Sequence, residues 1–407
     1  MTTIVDEGAA PAADLTDPGK GGRWQQLSRL FAHHVGATVN EFVIACAVSL
    51  VVTLAWVIIM PVVPSGGVGG DPMTYIAMAN NPKDVHWAPL AFRVLEPWLA
   101  HELGGQFHYL EAFRYLSWAA QALTGPAVYL LTRKFKGTHG AGLVGVAGLM
   151  SLPMWLFLIF CPYLVDSFAM LTMAWTIVAL VYGWLWVLPL MLVIMGLARE
   201  TVMGFAVPVY MWMRTRWIDL PRLIQVACLI APAIVVVWAI RQPMEFTGYN
   251  SMLGLMYAGL MVYVRHDVGG DPVFFVTYGI VASMGIWWLP AIAGRRYVGR
   301  LWWLLVPVFA QWLFGSDWGR YALYAFPVII PAAVIAVWNH PRRTLLLILI
   351  GLQSAAISAD LIVNGSPRIY AMSPSTWVSL GLMVLTALVL LLPRPAGKSG
   401  DRLETAR

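Results

Sequence analysis

Several carboxylates and guanidiniums of this chain could act together on a phosphate-bearing substrate. A positioned carboxylate can take a proton from a hydroxyl as a general base. An arginine can hold a phosphate through paired N–H donors, and a histidine can add a further donor. The residues that could carry this chemistry are Asp71, His86, Arg93, Glu96, Asp166, Arg199, Glu200, Asp317 and Arg320.

Each of these residues also has a simpler structural interpretation. Aspartate caps helix N-termini and proline fits the first turn, so Asp71–Pro72 could only start a helix. Arg93–Glu96 could be a surface ion pair of little energetic value. Arg199–Glu200 and Asp317–Arg320 could be structural salt bridges, and His86 could be a solvated residue. The residues taken singly leave both interpretations open.

The elements that hold these residues must be membrane-spanning helices. The chain is 59% hydrophobic and 11% charged, against about 25% charged residues in a typical soluble domain. Apolar runs near the length that crosses a bilayer as a helix recur along it. Strands of a membrane barrel would alternate over about ten residues instead. The predicted fold class is therefore all-α, a polytopic transmembrane helical protein.

Basic residues mark one side of the membrane. Most of the 26 Lys and Arg residues fall in every second loop, and short basic loops are retained in the cytoplasm. The clusters lie at 20–29, 133–136, 214–222, 295–300, 342–343 and 394–407. The acidic loops then face outward, both termini are cytoplasmic, and the net charge of +6 needs no nucleic acid to explain it.

This alternation predicts about twelve spans, with ten as the alternative. The predicted spans are 42–63, 110–132, 139–160, 167–182, 185–199, 201–214, 221–241, 273–293, 301–315, 321–338, 344–363 and 376–393. The segment 167–213 must cross an odd number of times, and three short crossings place Arg199 and Glu200 at the outer side. Broken helices at membrane depth line cavities or are covered by protein, and ionisable groups there are costly and often functional.

Three regions follow from this topology. Residues 1–40 are expected to be a largely disordered cytoplasmic tail, 41–393 the membrane domain, and 394–407 a cytoplasmic C-terminal tail. The outer loops 64–109 and 243–270 are the longest. The first should contain a helix starting at Asp71 and an amphipathic helix over 88–103, which lies in the interface with its apolar stripe in the lipid.

Some functional classes lack their signatures. The three cysteines cannot form a disulfide framework, and no His/Cys cluster predicts a metal. Walker A, GxSxG and HExxH patterns are absent, which argues against an ATP-driven pump and the commoner hydrolases.

The layout resembles the GT-C superfamily of integral-membrane glycosyltransferases, which use polyprenyl-phosphate sugars. The match rests on the spans and on the first outer loop, where Asp71 follows the first span and precedes Tyr75 and the stretch Arg93-Val-Leu-Glu96-Pro. The resemblance implies an inverting transfer to a lipid or glycan acceptor on the outer face of the plasma or inner membrane.

The resemblance also implies roles for the residues. Asp71 would be the general base. The donor phosphate would be bound by Arg93, Arg199, Arg320 and His86. Residues expected to support the site or bind the acceptor are Tyr75, Glu96, Asp166, Glu200 and Asp317. No cofactor is required, although a divalent cation could assist the phosphate.

A secondary transporter or flippase for a lipid-linked or small substrate is the alternative. Transporters place charged sites near the middle of the membrane, whereas the polar residues within the predicted spans are mostly neutral. A non-catalytic scaffold in a membrane complex is a third possible function.

Overall fold

A computed structural model describes residues 35–62, 71–82, 93–104, 108–199, 204–241, 281, 283–311, 318–364 and 374–393. Within these ranges the regular structure is helical. The first eight α-helices are α1 (Val39–Ile59), α2 (Asp71–Asn80), α3 (Leu95–Gly104), α4 (Tyr109–Lys134), α5 (His139–Met150), α6 (Pro153–Phe160), α7 (Asp166–Val181) and α8 (Leu188–Ala198). The others are α9 (Ala206–Met213), α10 (Leu220–Arg241), α11 (Trp288–Val298), α12 (Leu305–Ala310), α13 (Trp318–Leu323), α14 (Phe326–Trp338), α15 (Arg343–Asn364) and α16 (Pro374–Leu391).

Four of these helices are long and apolar enough to cross a membrane: α1, α10, α15 and α16. The α5–α6 pair would make a fifth span, and α7, α8 and α14 are shorter apolar helices. These elements fit a polytopic membrane protein. The count of twelve spans and the cytoplasmic position of both termini stay predictions, because several predicted spans lie partly outside the described residues.

The four basic clusters that lie within the described residues meet at one end of the helical bundle. Phe135, just after α4 and the Arg133–Lys134 pair, packs against Trp212 at a ring-centroid distance of 6.3 Å. Arg214 follows Trp212 by two residues, and its backbone carbonyl accepts a hydrogen bond from Arg300. At the start of α15, Arg343 stacks over Trp338 at 5.4 Å. We call this region the basic end.

The first residue of α7 lies at the opposite end. Helices α4 and α7 run side by side in the same direction, because Ser117 bonds Ser167 at 2.9 Å and the Tyr182 hydroxyl donates to the Leu130 carbonyl at 2.9 Å. Asp166 is therefore separated from the Arg133–Lys134 pair by the length of α7, which is about 1.5 Å for each residue. We call the region around Asp166 the site end.

Helices α7, α8 and α9 run alternately between the two ends. Lys134 lies over the Tyr182 ring at the end of α7, 4.8 Å from its centroid. The next helix, α8, ends at Arg199, which bonds Asp166 at the site end. Helix α9 then leads to Arg214 at the basic end. These three passes agree with the interpretation of 167–213 as three short crossings.

Several predicted helices differ in detail. The span predicted at 321–338 is divided between α13 and α14 by a turn at 324–325. The span predicted at 301–315 begins within a 3₁₀ helix, Gly299–Leu304, that precedes α12. The span predicted at 139–160 is divided into α5 and α6, which meet at an angle of 53°. Pro153 explains the break, since proline disfavours a helical conformation in the preceding residue and opens a new first turn. The helix predicted at 88–103 begins at Leu95 within the described part of the loop.

Two residues of the predicted apolar stripe of α3 are exposed, whereas Leu95 of the same stripe packs against the hydrophobic core, and the interfacial position of α3 stays a prediction. Trp98 is 50% exposed and Leu103 is 38% exposed. The opposite face buries Glu96, Pro97 and Ala100. The outer loop 243–270 and the tails 1–34 and 394–407 lie outside the described residues.

Candidate active site

Helices α2 and α3 bring the first group of candidate residues together. They pack against each other and against α4, and His101 on α3 lies 2.8 Å from the Ala79 carbonyl on α2 through Nδ1. Helix α2 begins at Asp71, as predicted for an aspartate followed by proline. The Arg93 guanidinium, just before α3, donates to the Tyr75 hydroxyl at 2.6 Å.

Asp166 is positioned by a buried connection between α6 and α7. Residues 161–165 are all buried, and within them the Tyr163 hydroxyl accepts hydrogen bonds from Arg114 at 3.1 and 2.9 Å. The residue after Asp166, Ser167, accepts hydrogen bonds from Ser117 and Gln121 of α4. These contacts hold the start of α7 and so fix the carboxylate of its first residue.

The Asp166 carboxylate is the centre of a buried polar network. Its Oδ1 accepts from Arg199 and, at 2.9 Å, from the Tyr324 hydroxyl. Its Oδ2 accepts from Arg320 at 3.2 Å. Asp166 is fully buried and Arg199 is 1% exposed. Every oxygen of this carboxylate is therefore matched by a donor, as a buried charge requires.

Arg199 is held where α8 ends. Its backbone is extended (φ −159°, ψ 142°), which stops the helix at Ala198. The guanidinium donates to the Tyr324 hydroxyl at 2.7 Å and faces the rings of Tyr321 and Tyr324 at 5.3 and 4.8 Å. The predicted break in this region thus places an arginine against a buried carboxylate.

Arg320 on α13 joins the two groups. One terminal nitrogen donates to Asp166 and the other donates to Asp71 at 2.8 Å. The arginine side chain is 9% exposed, whereas the Asp71 side chain is 32% exposed. Asp71 is therefore a carboxylate that touches the buried network on one side and can meet a substrate on the other.

Glu96 is a buried carboxyl with a different environment. It is fully buried, and among the described residues neither carboxyl oxygen has a hydrogen-bond partner. Burial, and secondarily the charge of Asp166, raises the pKa of Glu96 well above its usual value. The interpretation of Arg93–Glu96 as a surface ion pair is wrong, because Glu96 faces the bundle interior and Arg93 donates to Tyr75 instead.

Tyr75 is fully buried between these groups. Burial raises the pKa of its hydroxyl, while the nearby charge of Arg93 lowers it. The hydroxyl therefore stays protonated at neutral pH. It can donate one hydrogen bond while it accepts the one from Arg93.

All seven candidate residues that the structure describes meet at the site end. They are Asp71, Tyr75, Arg93, Glu96, Asp166, Arg199 and Arg320. His86, Glu200 and Asp317 lie outside the described residues. Among the described residues, Arg199 pairs with Asp166, and Arg320 pairs with both Asp166 and Asp71.

Tyr324 is a member of the network that the sequence analysis missed. It follows Arg320 by four residues, a spacing that places two side chains on one face of a helix. This spacing is the feature of the sequence that could have identified Tyr324 as a neighbour of Arg320. In the described parts of the chain, no three His, Cys, Asp or Glu residues form a group that could hold a metal ion.

Solved structures share the fold of this chain. The crystal structure of ArnT from Cupriavidus metallidurans bound to undecaprenyl phosphate matches 87% of this chain and 77% of its own, with 14% sequence identity and a TM-score of 0.50. The structure of ArnT from the same organism in the apo state matches 86% and 76%, at 14% identity and a TM-score of 0.48. ArnT is a GT-C glycosyltransferase, so the predicted resemblance to the GT-C superfamily is confirmed at the level of the fold.

Comparison of sequences adds no relative. No family model matches the chain, and no curated protein matches it.

Proposed function

We propose that this chain is a membrane glycosyltransferase that moves a sugar from a polyprenyl-phosphate donor to a hydroxyl of a lipid or glycan acceptor. The observation that carries the proposal is the contact of the partly exposed Asp71 with the buried Arg320. It places a candidate base beside a cluster of guanidiniums. The ArnT structure of the same fold was solved with undecaprenyl phosphate bound, which supports a polyprenyl phosphate as the carrier.

Asp71 is the proposed general base. Arg320 holds Oδ2 of its carboxylate, so Oδ1 takes the proton of the acceptor hydroxyl. The acceptor oxygen forms a bond to the anomeric carbon while the bond from that carbon to the phosphate oxygen breaks. The electron pair leaves on the phosphate, and this single displacement inverts the anomeric centre.

The charges of the network suit this reaction. Among the described members of the network, the guanidiniums of Arg93, Arg199 and Arg320 outnumber the carboxylates of Asp71 and Asp166 by one when Glu96 is protonated. A phosphodiester donor carries one negative charge, and the departing polyprenyl phosphate gains another. Fixed positive charge in a site of low dielectric stabilises that increase in the transition state.

The remaining candidates have supporting roles. Arg93 and Arg320 are proposed to contact the phosphate, and Arg199, the least exposed of the three, adds its charge from behind Asp166. Glu96, as a neutral acid, would donate a hydrogen bond to a sugar hydroxyl, and Tyr75 would do the same. His86 stays a proposed phosphate donor, and Glu200 and Asp317 stay proposed supports, on their positions in the sequence. A divalent cation could share the phosphate charge, although the proposal does not require one.

The site end is proposed to be extracytoplasmic. The basic end then faces the cytoplasm, as the retention of basic loops predicts. The enzyme would be a multi-pass protein of the plasma or inner membrane, and it would use its donor on the outer leaflet.

Asp71→Asn tests the proposed base. Wild-type protein in lipid vesicles is given a panel of radiolabelled polyprenyl-phosphate sugars together with membrane lipids and glycans, and transfer of label is measured. We expect the variant to lose about 10²- to 10⁴-fold in rate, the usual contribution of acid–base catalysis. Asn keeps the shape and can still accept from Arg320, so thermal unfolding in detergent should change little.

Glu111→Gln is the matched control, because it removes a carboxylate near the start of α4 whose ion-pair partner, among the described residues, is Arg114 in a half-exposed i,i+3 contact. This variant should keep wild-type transfer. Full activity of Asp71→Asn would remove the base. Uptake or flipping that follows an ion gradient, without any new glycosidic bond, would favour the transporter alternative.

A further inference from the structure

An apolar trough opens between α11 and α16, far from the candidate active site. It has a volume of about 510 Å³. Its apolar walls come from Leu289 and Ile292 on α11 and from Leu390 and Leu391 at the end of α16. Arg295 and Arg296 line the same trough. Because these arginines belong to the clusters described above, the trough lies at the basic end.

A smaller and more polar pocket of about 140 Å³ adjoins the trough. Its lining includes Tyr297, Asn339 and His340, and it shares Arg296 and Leu390 with the trough. Together the two cavities form one amphiphilic space. One part is lined by leucine and isoleucine, and the other offers hydrogen-bonding groups.

The order of residues along α11 gives this space a direction. Leu289, Ile292 and Arg296 follow one another at spacings of three and four, which places them on one face of the helix. The apolar residues lie deeper along the helix, and the arginine lies in its last turn. This is the polarity of a lipid molecule, with its chains in the hydrocarbon and its head at the surface.

The two arginines retain their positive charge for a ligand. Both are exposed, and among the described residues neither forms an ion pair with a carboxylate. Within the described part of the chain, Arg296 donates to the Tyr297 hydroxyl at 3.4 Å and lies 5.2 Å from the centroid of its ring. Neighbouring guanidiniums of this kind suit a phosphate, which they can bind through paired N–H donors.

We propose that this space is a binding site for one anionic phospholipid. Its acyl chain lies along Leu289, Ile292, Leu390 and Leu391. Its phosphate is held by Arg295 and Arg296, and its remaining headgroup atoms enter the pocket of Asn339 and His340. Basic pockets between helices on the cytoplasmic side are a recognised class of site for anionic headgroups.

The charge of the site argues against the chain's own C-terminal tail as the occupant. The segment 394–407 carries Arg394, Lys398, Arg402 and Arg407 against Asp401 and Glu404. It therefore has the same sign as the arginines of the site. An anionic lipid complements them, and the bilayer supplies it at high local concentration.

The test uses the full-length protein purified in neutral detergent. Phosphatidylglycerol or phosphatidylcholine with identical acyl chains is added, and bound lipid is counted by native mass spectrometry while thermal unfolding is followed. We expect wild type to bind phosphatidylglycerol at least tenfold more tightly than phosphatidylcholine and to be stabilised by it. Arg295→Ala/Arg296→Ala should lose this preference.

Arg216→Ala/Arg222→Ala is the matched control, since it removes two positive charges from the same end outside the trough. It should bind phosphatidylglycerol as wild type does. Ile292→Trp, which fills the trough and keeps both arginines, should also weaken binding, because the site needs the acyl chain. The proposal is overturned if wild type binds both lipids equally, or if the Arg295/Arg296 variant keeps the preference. Cross-linking of position 292 to residues 394–407 would show that the tail fills the trough and would overturn it too.

Discussion

Asp166 is the residue on which the charge balance of the site depends. Two guanidiniums and a tyrosine hydroxyl converge on its carboxylate, and none of these groups is well exposed. A buried ion network gains little net stability over an apolar core, but removing one partner leaves the others without compensation. The energetic value of the network therefore does not explain it, whereas the proposed function does, because a glycosyltransferase would need charge held in place for its substrate.

Asp166→Asn should destabilise the protein strongly. The substitution keeps the shape of the side chain and removes the negative charge between Arg199 and Arg320, so we expect a loss of ~3–5 kcal/mol in the free energy of unfolding. Unfolding in detergent measures it. Glu111→Gln breaks an exposed pair and should cost less than about 1 kcal/mol. Equal stabilities for the two variants would contradict the role given to Asp166.

Glu96 should make stability fall as pH rises. Because its pKa is raised in the folded protein, the stabilisation is fully present below the ordinary carboxyl pKa of about 4.3 and is lost as pH increases toward the raised value. Gln cannot ionise, so Glu96→Gln should gain on wild type in unfolding free energy as the pH rises above about 4.3. Parallel stability curves over this range would show that Glu96 is not held neutral.

The residue types of the site could be predicted, but their partners could not. Asp71–Pro72 and the break at Arg199 leave clear marks in the sequence, so both residues could be assigned to one side of the membrane. The pairing of Arg199 with Asp166 depends on how α7 and α8 pack, which no local pattern records. The helix pattern of α3 likewise cannot show whether its polar face meets water or, as at Glu96, the protein interior.

At the scale of elements, hydropathy and charge predicted the helices well where each is continuous. Helix α4 was expected at 110–132 and spans Tyr109–Lys134, and α16 was expected at 376–393 and spans Pro374–Leu391. The span predicted at 139–160 was wrong as a single helix because Pro153 divides it. Hydropathy shows how apolar a segment is, whereas the angle between two helices at a proline depends on the helices packed around them.

Helices α11 and α14 approach so closely that only glycine fits at position 294. A Cβ on Gly294 would overlap the backbone carbonyl of Ala332, and neither backbone can move without shifting a helix. Gly294→Ala should therefore lower the unfolding free energy by ~1–3 kcal/mol, as overpacking does. Thermal unfolding in detergent measures the change.

Gly351→Ala is the control for this prediction. Gly351 lies within α15 and a Cβ there would meet nothing within 4 Å. Alanine should leave stability unchanged or raise it by roughly 0.5–1 kcal/mol through its helix propensity. A Gly294→Ala protein as stable as Gly351→Ala would show that α11 and α14 do not pack this tightly.

At the scale of the whole molecule, the described charged residues form two groups that lie at opposite ends. The arginine clusters meet at the basic end, whereas the carboxylates and guanidiniums of the candidate site meet at the other. The sequence predicted this separation because the sidedness of basic loops is a property of the whole chain. The same separation predicts which end of the protein faces the cytoplasm.

Thiol labelling of intact cells can test the orientation. In a background where Cys46, Cys161 and Cys228 are replaced by serine, Glu102→Cys on α3 should react with a membrane-impermeant maleimide from outside. Ile218→Cys, 88% exposed and close to Arg216, should react only after the cells are permeabilised. The reverse pattern would place the candidate site in the cytoplasm and remove the proposed location of the enzyme.

The large sequence separation between Arg320 and its two partners has a consequence for biosynthesis. This arginine lies 249 residues beyond Asp71 and 154 beyond Asp166, while Arg199 follows Asp166 by only 33. Asp166 can thus acquire a counter-ion soon after α8 is inserted, but Asp71 must wait until α13 has left the ribosome. Ionised groups beside hydrocarbon are costly until they are paired. A nascent or truncated chain that lacks α13 would accordingly lack the ion pair on which the proposed active site depends.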